Sequence, residues 1–196
     1  MRIVFASSNP HKLKELVCVL PASLDLVFQG DLGVAAVEET GLTFVENAII
    51  KARHAARLCN LPAIADDSGL EVDYLMGGPG IYSSRYAGQL ASDAQNNAKL
   101  LAALVEATAG QRHARFQSVI AYMRHGNDPT PVIACGTWEG KILEQPRGSA
   151  GFGYDPLFYI PSLGKTAAQL SVAEKNRISH RGQALIRLQK LINLNE

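Results

Sequence analysis

The sequence lacks most of the patterns by which large classes of protein are recognised. Its 196 residues include three cysteines and no C-x-x-C pair, which argues against a disulfide framework or a structural zinc site. No apolar run approaches the roughly 20 residues of a membrane-spanning helix. Lys and Arg number 19 against 18 Asp and Glu, so no charge excess favours nucleic acid. We therefore expect neither a membrane nor a nucleic-acid partner.

Several catalytic signatures are missing as well. The chain has no GxxxxGK[ST] phosphate loop, no HExxH zinc motif and no GxSxG serine elbow. Cys18, Cys59 and Cys135 are odd in number and widely spaced, which predicts reduced thiols in the core of a cytoplasmic protein. The N-terminal run turns polar after six residues, which is too early for a signal peptide.

The composition predicts one folded domain spanning residues 1–196. At 47% hydrophobic and 19% charged residues, the chain can build a substantial core. Arg2–Ala6 is an apolar, β-branched run typical of a buried first strand. Pro62–Ala65 is a second such run, which we expect to be broken by Asp66–Gly69. Ala114–Met123 and Val132–Trp138 are typical of two later strands joined by a hairpin.

Helix start signals lie between these strands. Thr43 with Glu46, Ser92 with Gln95, and Ser171 with Glu174 have the spacing of capping boxes. An earlier helix is expected to follow a Ser/Asn/Pro cluster and to stop at Pro21. The last box is expected to open one C-terminal helix. The inner face of the second helix should carry Val45, Ile49, Ala52 and Ala56. Alternating helices and strands followed by paired strands predict an α/β domain with a mixed sheet.

Two segments carry polar groups suited to phosphate chemistry. Ser7–Lys12 lies between a predicted strand and helix, where backbone N–H groups and an ammonium favour an anion, although ordinary helix capping explains the same residues. Asp66 and Asp67 follow a buried strand and suit Mg²⁺ binding or activation of a water. A turn cap explains them equally well. Glu38 and Glu39 are candidates to complete such a site.

Two later segments suit recognition of a base. Gly148–Pro156 combines glycines with aromatic rings that can stack on a base, although a tight crossover would use the same residues. Lys175–Gly182 holds three cations and a histidine, which either clamp phosphate or form a solvated face.

The order of these blocks resembles the inosine triphosphate pyrophosphatase family, from Ile3 to about Ala184. The blocks that carry the resemblance are Ser7–Lys12, Glu38–Gly41, Phe44–Ala48, Ala65–Leu70, Pro79–Tyr86, Gly151–Pro156 and Ser179–Gly182. One departure is Ser8, at a position where the family commonly has glycine.

The resemblance implies an elongated mixed β-sheet with flanking helices, and two lobes around a nucleotide-binding cleft. It implies a Mg²⁺-dependent hydrolase that cleaves ITP, dITP or XTP between the α- and β-phosphates. The products would be the monophosphate and pyrophosphate, so the enzyme would clear deaminated purines from the nucleotide pool. The family also implies a homodimer.

The resemblance further implies roles for individual residues. Asp67 would activate water and bind the metal, with Glu38 as the second metal ligand, although Glu39 and Asp66 stay open as alternatives. The substrate-binding residues implied are Ser7, Ser8, Asn9, Pro10, His11, Lys12, Ser68, Phe152, Gly153, Tyr154, Asp155, Lys175, His180 and Arg181.

Two other functions are consistent with part of the sequence. A Maf-type pyrophosphatase acting on pyrimidine or modified nucleotides would share the acidic residues, but the Gly-Phe-Gly-Tyr-Asp and Ser-His-Arg-Gly blocks favour purines. A nucleotide sensor would keep Lys12 and the glycine-rich loops. It would not require Asp67 or Glu38, so their joint presence favours an enzyme.

Overall fold

A computed structural model describes residues 1–7, 9–21 and 23–192 of the chain. Within these ranges the strands are β1 Arg2–Phe5, β2 Asp25–Phe28, β3 Ala63–Val72, β4 His113–Met123, β5 Val132–Ile142, β6 Phe158–Ile160 and β7 Lys165–Thr166. The helices are α1 Pro10–Val19, α2 Phe44–Cys59, α3 Asp93–Ala103, α4 Val172–Ile178 and α5 His180–Leu191. None of the described helices is long and apolar enough to cross a membrane.

The strands form one mixed sheet in the order β2-β1-β3-β4-β5-β6-β7. β1 pairs in parallel with both β2 and β3, whereas β6 is antiparallel to β5 and to β7. Ile3, Val4 and Phe5 of β1 are wholly buried, as expected for a central parallel strand that is covered on both faces. The predicted α/β class with a mixed sheet is confirmed. The short strands β2, β6 and β7 had no clear sequence signal.

β3 corrects one expectation. Its ten residues run without a break through Asp66, Asp67 and Ser68, so the prediction that this segment ends a strand is wrong. Asp is unfavourable in strands because it competes for backbone hydrogen bonds and carries charge into the sheet. Here both carboxylates have cationic partners, which the local sequence does not reveal.

The helix caps follow the sequence closely. Asn9 caps α1, whose first residue is Pro10, and Thr43 caps α2. Ser92 and Ser171 form complete capping boxes at the starts of α3 and α4. The single C-terminal helix predicted from Ser171 is wrong, because Ser179 has extended backbone angles and separates α4 from α5.

The chain divides into two compact units. Unit 1 comprises the described parts of 1–68, 118–136 and 180–196, and unit 2 comprises 69–117 and 137–179. In unit 1 the alanines at 48, 52, 55 and 56 of α2 are buried with the alanines of β3. Val45 is 36% exposed, so its predicted place on the inner face is wrong. Small side chains let the α2 backbone approach the sheet closely.

A second core of unit 1 joins α1 and α5. Leu16 of α1 packs in one cluster with Leu185 and Leu188 of α5 and with Phe5 of β1. Gly136 makes a close approach to α5 possible, since a Cβ there would lie 2.0 Å from the carbonyl oxygen of His180. This contact fixes the start of α5 against β5.

Unit 2 has an aromatic core of its own. Phe116, Trp138 and Phe158 pack with ring centroids 4.6–6.4 Å apart. Leu100 of α3 is wholly buried in the same cluster.

All three cysteines are free, as predicted, but Cys18 and Cys135 are exposed, so the prediction of core thiols is wrong for those two.

Candidate active site

Asp66 and Asp67 lie side by side on β3, and their carboxylates enter two different ion-pair networks of unit 1. Successive side chains of a strand point to opposite faces of the sheet, so Asp66 and Asp67 can bind different partners. Both residues are buried, with 1% and 6% of their surface exposed. Buried charges require compensating partners, and each carboxylate has them.

Asp66 is held by groups from three other elements. Lys12 Nζ lies 2.7 Å from Asp66 Oδ2, and the Ser118 hydroxyl donates to Oδ1 at 2.6 Å. Arg181 donates to Oδ2 through Nε at 3.3 Å and a terminal nitrogen at 3.2 Å. Ser68 also donates to Oδ2, at 2.9 Å. Both oxygens of the buried carboxylate therefore accept hydrogen bonds.

The charges in this network keep Asp66 ionised. Burial by itself favours the neutral acid, but Arg181 and Lys12 outweigh it and hold the Asp66 pKa well below its usual range. Lys12 responds in the opposite direction. Burial, together with the neighbouring Lys51 and Arg181, lowers the Lys12 pKa, although Asp66 partly offsets this. Asp66 is thus a permanent anion that organises cations around β3.

Arg181 is the most fully engaged of these cations. It is 2% exposed, and besides Asp66 it donates to the Ser68 hydroxyl at 2.7 Å and to the Glu15 carboxylate. The two carboxylates raise the pKa of the guanidinium despite its burial. In the described structure Arg181 therefore joins α1, β3 and α5, and it holds Asp66 in place.

Asp67 belongs to a second network, centred on Lys51 of α2. Lys51 Nζ lies 2.6 Å from Asp67 Oδ1 and 2.6 Å from Glu39 Oε1. Burial raises the Asp67 pKa to about 6, with Glu39 adding to the rise and Lys51 opposing it. Burial disfavours the charged form of Lys51, but Asp67 and Glu39 together raise its pKa. Asp67 is therefore the more basic of the two neighbouring carboxylates.

The segment of residues 38–41, which carries Glu38 and Glu39, is hydrogen-bonded to α2. The backbone N–H of Gly41 donates to the Asn47 side chain at 2.8 Å, and a Cβ at position 41 would lie 2.6 Å from that of Glu46. Only glycine fits this close approach. Glu39 is half-buried against Lys51, whereas Glu38 is exposed and makes no ion pair with any described residue. Sequence reasoning left the choice between Glu38 and Glu39 open, and the structure brings Glu39 to Asp67.

The predicted phosphate loop opens α1. Asn9 Oδ1 accepts hydrogen bonds from the backbone N–H of His11 at 2.9 Å and of Lys12 at 3.3 Å. Ser7 Oγ accepts one from the N–H of Asn9 at 3.1 Å. Pro10 and His11 are exposed, and Ser8 lies outside the described residues. This loop therefore forms the start of α1, and Lys12 is its cation that joins the buried network around Asp66.

Unit 2 holds five of the predicted residues, Phe152, Gly153, Tyr154, Asp155 and Lys175. Lys175 Nζ lies 2.5 Å from Asp155 Oδ2 and 4.8 Å from the centre of the Phe152 ring. The backbone N–H of Phe152 donates to Asp155 at 3.0 Å, and a Cβ at Gly151 would lie 2.0 Å from that carboxylate. The loop is thus folded around Asp155, with a cation and an aromatic face side by side.

The rest of this loop is held by other elements of unit 2. The Tyr154 hydroxyl donates to the carbonyl of Ser83 at 2.8 Å, and burial raises the Tyr154 pKa well above its usual value. Gly153 is held at both backbone groups. Its N–H donates to Asp93 at 2.6 Å, and its carbonyl accepts from Asn97 at 2.9 Å. α3 therefore fixes the position of this loop.

Sequence reasoning missed three residues of the site, namely Glu15, Lys51 and Ser118. Lys51 had a usable signal, since it lies one helical turn after Asn47 on the face of α2 that carries the buried alanines. Glu15 and Ser118 had none, because each acts through a partner that is distant in the chain. His180 is buried at the first position of α5 and belongs to unit 1 with Arg181.

Comparisons with known proteins give a consistent result. Residues 3–191 match the model of the Ham1 family. The chain is 60% identical over 185 residues to a dITP/XTP pyrophosphatase of Yersinia pseudotuberculosis serotype I (strain IP32953), covering 94% of each chain. It is 56% identical over 185 residues to that of Escherichia coli (strain K12), again with 94% of each chain covered.

Two solved structures also match the fold of this chain over nearly its whole length. A HAM1 protein from Coxiella burnetii has a TM-score of 0.92 with 52% identity, over 98% of each chain. The Staphylococcus aureus Ham1 protein has a TM-score of 0.88 with 44% identity, over the full length of each chain.

Proposed function

The chain belongs to the Ham1 family, and from this membership we propose that it hydrolyses the triphosphates of non-standard purine nucleosides. The proposed substrates are dITP, ITP and XTP, and the products are the monophosphate and pyrophosphate. The observation that carries the proposal is the identity of 60% and 56% to relatives named dITP/XTP pyrophosphatase, over 94% of the chain. The family resemblance drawn from the sequence blocks is thereby confirmed.

Asp67 is our candidate for the general base. In the proposed reaction a water oxygen bonds to the α-phosphorus, and the bond from that phosphorus to the α–β bridging oxygen breaks. The bridging oxygen leaves with pyrophosphate and keeps the electron pair. The Asp67 carboxylate accepts the proton that the water loses. A pKa of about 6 leaves this carboxylate mostly ionised at neutral pH while keeping it basic enough for the task.

We propose Mg²⁺ as the cofactor, with Asp67 as one ligand. No group of three or more His, Cys, Asp or Glu side chains in the described part of the chain could hold a metal. Mg²⁺ does not need such a cage, because it binds through one or two carboxylates with water and substrate phosphates. Asp67 and Glu39 each have an oxygen 2.6 Å from Lys51 Nζ, so two hard donors already converge on one cation. The bound ion would neutralise charge on the phosphates.

Glu39 is favoured over Glu38 as the second ligand. Its carboxylate is already directed to the cation that Asp67 shares, whereas Glu38 is exposed. Glu38, which the family resemblance implies, stays the alternative, to be tested by substitution of each residue.

Lys12 and the α1 start are our candidates for binding phosphate. The Lys12 ammonium is mostly buried beside Asp66. Its lowered pKa means that its surroundings disfavour the charged form, so an additional anion there would stabilise it. Backbone N–H groups at a helix start favour the same kind of ligand. Ser7, Asn9, His11 and Ser68 are further candidates for direct contact, and His180 and Arg181 stay predictions for phosphate or purine contact.

The loop Phe152–Asp155 with Lys175 is our candidate for recognising the base. Hypoxanthine and xanthine carry an acceptor at position 6, where adenine carries an amino donor. A pocket that aims donors at this position leaves them unpaired when ATP binds, at a cost of about 1–3 kcal/mol for each. Lys175 is a donor at this site, and the Phe152 ring offers a stacking face.

We also propose that the protein acts in the cytoplasm as a homodimer. The free cysteines are consistent with a reducing compartment. Light scattering of the purified protein would give the oligomeric state directly.

Pyrophosphate release tests the proposed function. Purified protein is incubated with ITP, dITP, XTP, ATP, GTP or dTTP, with Mg²⁺ or with EDTA. We expect fast, Mg²⁺-dependent release from the first three only. Activity confined to dTTP would indicate a pyrimidine enzyme of Maf type. No release from any nucleotide, by protein shown to be folded by circular dichroism, would indicate a nucleotide-binding protein instead.

A further inference from the structure

Unit 2 contains a pocket of about 420 Å³ that none of the predicted site residues lines. It is formed by the end of β5, the segment that follows it, and the turn before β4. Besides Gln145, its polar lining consists of three cations, one carboxylate and a tyrosine. These residues are Arg112, Lys141, Glu144, Arg147 and Tyr159. A volume of this size suits a small ligand.

Arg112 is the central feature of this pocket. It is 6% exposed, and two of its nitrogens donate to the carbonyls of Ala107 at 3.3 Å and Leu104 at 2.7 Å. Its third nitrogen, Nη1, is buried and has no hydrogen-bond partner in the described structure. A buried donor without an acceptor costs about 1–3 kcal/mol, and more when it is charged. An acceptor brought by a ligand would remove this cost.

The other two cations of the pocket also lack a charged partner within the described part of the chain. Neither Lys141 nor Arg147 forms an ion pair with any described residue, and Glu144 forms none either. Two other cations of unit 2 are paired with carboxylates. Arg115 contacts Asp73 at 2.9 Å and Glu139 at 3.0 Å, and Lys175 contacts Asp155 at 2.5 Å. The pocket therefore keeps an excess of two positive charges that the fold does not neutralise.

We infer that this pocket binds a small oxyanion, either a phosphate or a carboxylate group, with the Arg112 guanidinium as its anchor. A guanidinium suits both groups because its hydrogen bonds to charged oxygens are strong, and Nη1 is the nitrogen of Arg112 that is left to make one. Lys141 and Arg147 supply the remaining charge. Ile142, Leu143 and the Tyr159 ring provide an apolar wall for the rest of the molecule. The inference is independent of the proposed hydrolysis, since Lys175 and Phe152–Asp155 lie outside this lining.

Nuclear magnetic resonance of the full chain tests the inference. Inorganic phosphate and citrate are each titrated into ¹⁵N-labelled protein at constant ionic strength, with NaCl as the reference salt. We expect saturable shifts of the backbone amides of residues 141–147 with a Kd below about 10 mM, which corresponds to weak but specific binding. Shifts with phosphate alone would identify a phosphoryl ligand, and shifts with citrate alone would identify a carboxylate ligand. Shifts with both indicate recognition of the oxyanion itself.

Variants separate this site from general charge effects. Substituting Arg112 risks the fold, because it holds two carbonyls at the end of α3, so the test uses Lys141→Gln with Arg147→Gln. We expect this double variant to weaken oxyanion binding about tenfold, which is about 1.4 kcal/mol. Pyrophosphate release from ITP should be unchanged.

Lys165→Gln is the matched control, because Lys165 is an exposed cation of unit 2 outside the pocket. Binding in this control should equal that of the unsubstituted protein. The inference is overturned if residues 141–147 do not shift with either probe. It is also overturned if the double variant and the control bind equally well.

Discussion

Asp66 and Asp67 show how two adjacent carboxylates acquire different chemistry. Asp66 is surrounded by Lys12, Arg181 and Ser118, and its pKa is held well below the usual range. Asp67 has one cation, which it shares with Glu39, and burial raises its pKa to about 6. Neighbouring titratable groups whose pKa values are pushed apart are typical of sites with divided roles. Asp66 organises the cations, and Asp67 is the base that we propose.

Replacing Asp67 tests this division. We expect Asp67→Asn to lower kcat for ITP by about 10²–10⁴, because an amide cannot accept the proton of water. Thermal unfolding followed by circular dichroism should show a folded variant. Asp31→Asn, at an exposed position of unit 1, is the matched control and should keep full activity. A kcat within a factor of about three of the unsubstituted enzyme would remove Asp67 from this role.

At the scale of elements, α3 supports the loop of residues 152–155, which we propose recognises the base. Asp93 and Asn97 bind the N–H and the carbonyl of Gly153, so one peptide of the loop is fixed from both sides. This arrangement holds the backbone between Phe152 and Tyr154. Helix residues outside a site can therefore affect substrate affinity.

Substitution of Asn97 measures this support. We expect Asn97→Ala to raise KM for ITP about fivefold with little change in kcat, since one hydrogen bond of about 1 kcal/mol holds the loop. Steady-state pyrophosphate release provides both constants. Ala98→Gln, at the next and exposed position of α3, should leave KM unchanged. Equal KM values for the two variants would contradict the supporting role.

β5 and α5 provide a second prediction at this scale. A Cβ at Gly136 would lie 2.0 Å from the His180 carbonyl oxygen and 2.8 Å from the Ala184 nitrogen, both backbone atoms. We expect Gly136→Ala to destabilise the protein by about 1–3 kcal/mol, because α5 must move away from β5. Urea unfolding gives the free energy of unfolding.

Gly30→Ala is the matched control for this substitution. No atom lies within 4 Å of a Cβ built at Gly30, and its φ is not in the left-handed region. Its free energy of unfolding should stay within about 0.5 kcal/mol of the original value. Equal losses in the two variants would mean that the close approach at Gly136 is not tight.

At the scale of the whole molecule, buried ionised carboxylates make stability depend on pH. Asp128, in the β4–β5 connection, is 1% exposed. It accepts hydrogen bonds from the Arg124 guanidinium at 2.6 and 2.8 Å and from the Thr130 N–H at 3.0 Å. The hydrogen bonds from Arg124 outweigh burial and place the Asp128 pKa far below its usual range. Its contribution to stability is therefore complete above the unfolded pKa and is lost as the pH falls.

Substituting Asp128 should show this dependence. We expect Asp128→Asn to lower the free energy of unfolding at pH 7 by about 1–3 kcal/mol, because hydrogen bonds to a charged acceptor are lost. The difference from the unsubstituted protein should shrink as the pH falls below about 4, where the unfolded carboxyl is protonated. Urea unfolding at pH 7, 5 and 3 measures it.

Asp25→Asn serves as the control, since Asp25 pairs with Arg2 at the surface, with side chains 63% and 55% exposed, respectively. Surface ion pairs contribute about 0–1 kcal/mol, so this variant should change little at any pH. A difference for Asp128→Asn that stays constant from pH 7 to pH 3 would contradict the assignment.

Features that depend on short-range chemistry were predictable from the sequence alone. The caps at Asn9, Thr43, Ser92 and Ser171 were predictable because a cap bonds only to residues within a turn. The mixed sheet followed from the alternation of helix and strand patterns. The family was identifiable because its blocks are spread in order along nearly the whole chain.

The partners of the carboxylates, in contrast, depend on contacts that form only in the folded chain. β3 continues through Asp66 and Asp67 because Lys12, Lys51 and Arg181, which come from three helices, compensate the buried charges. Folding also places Glu39, and not Glu38, beside Lys51, the cation that Asp67 shares. These choices depend on residues up to 115 positions apart in the chain, and an electrostatic interaction depends on distance in space, which local sequence patterns do not report.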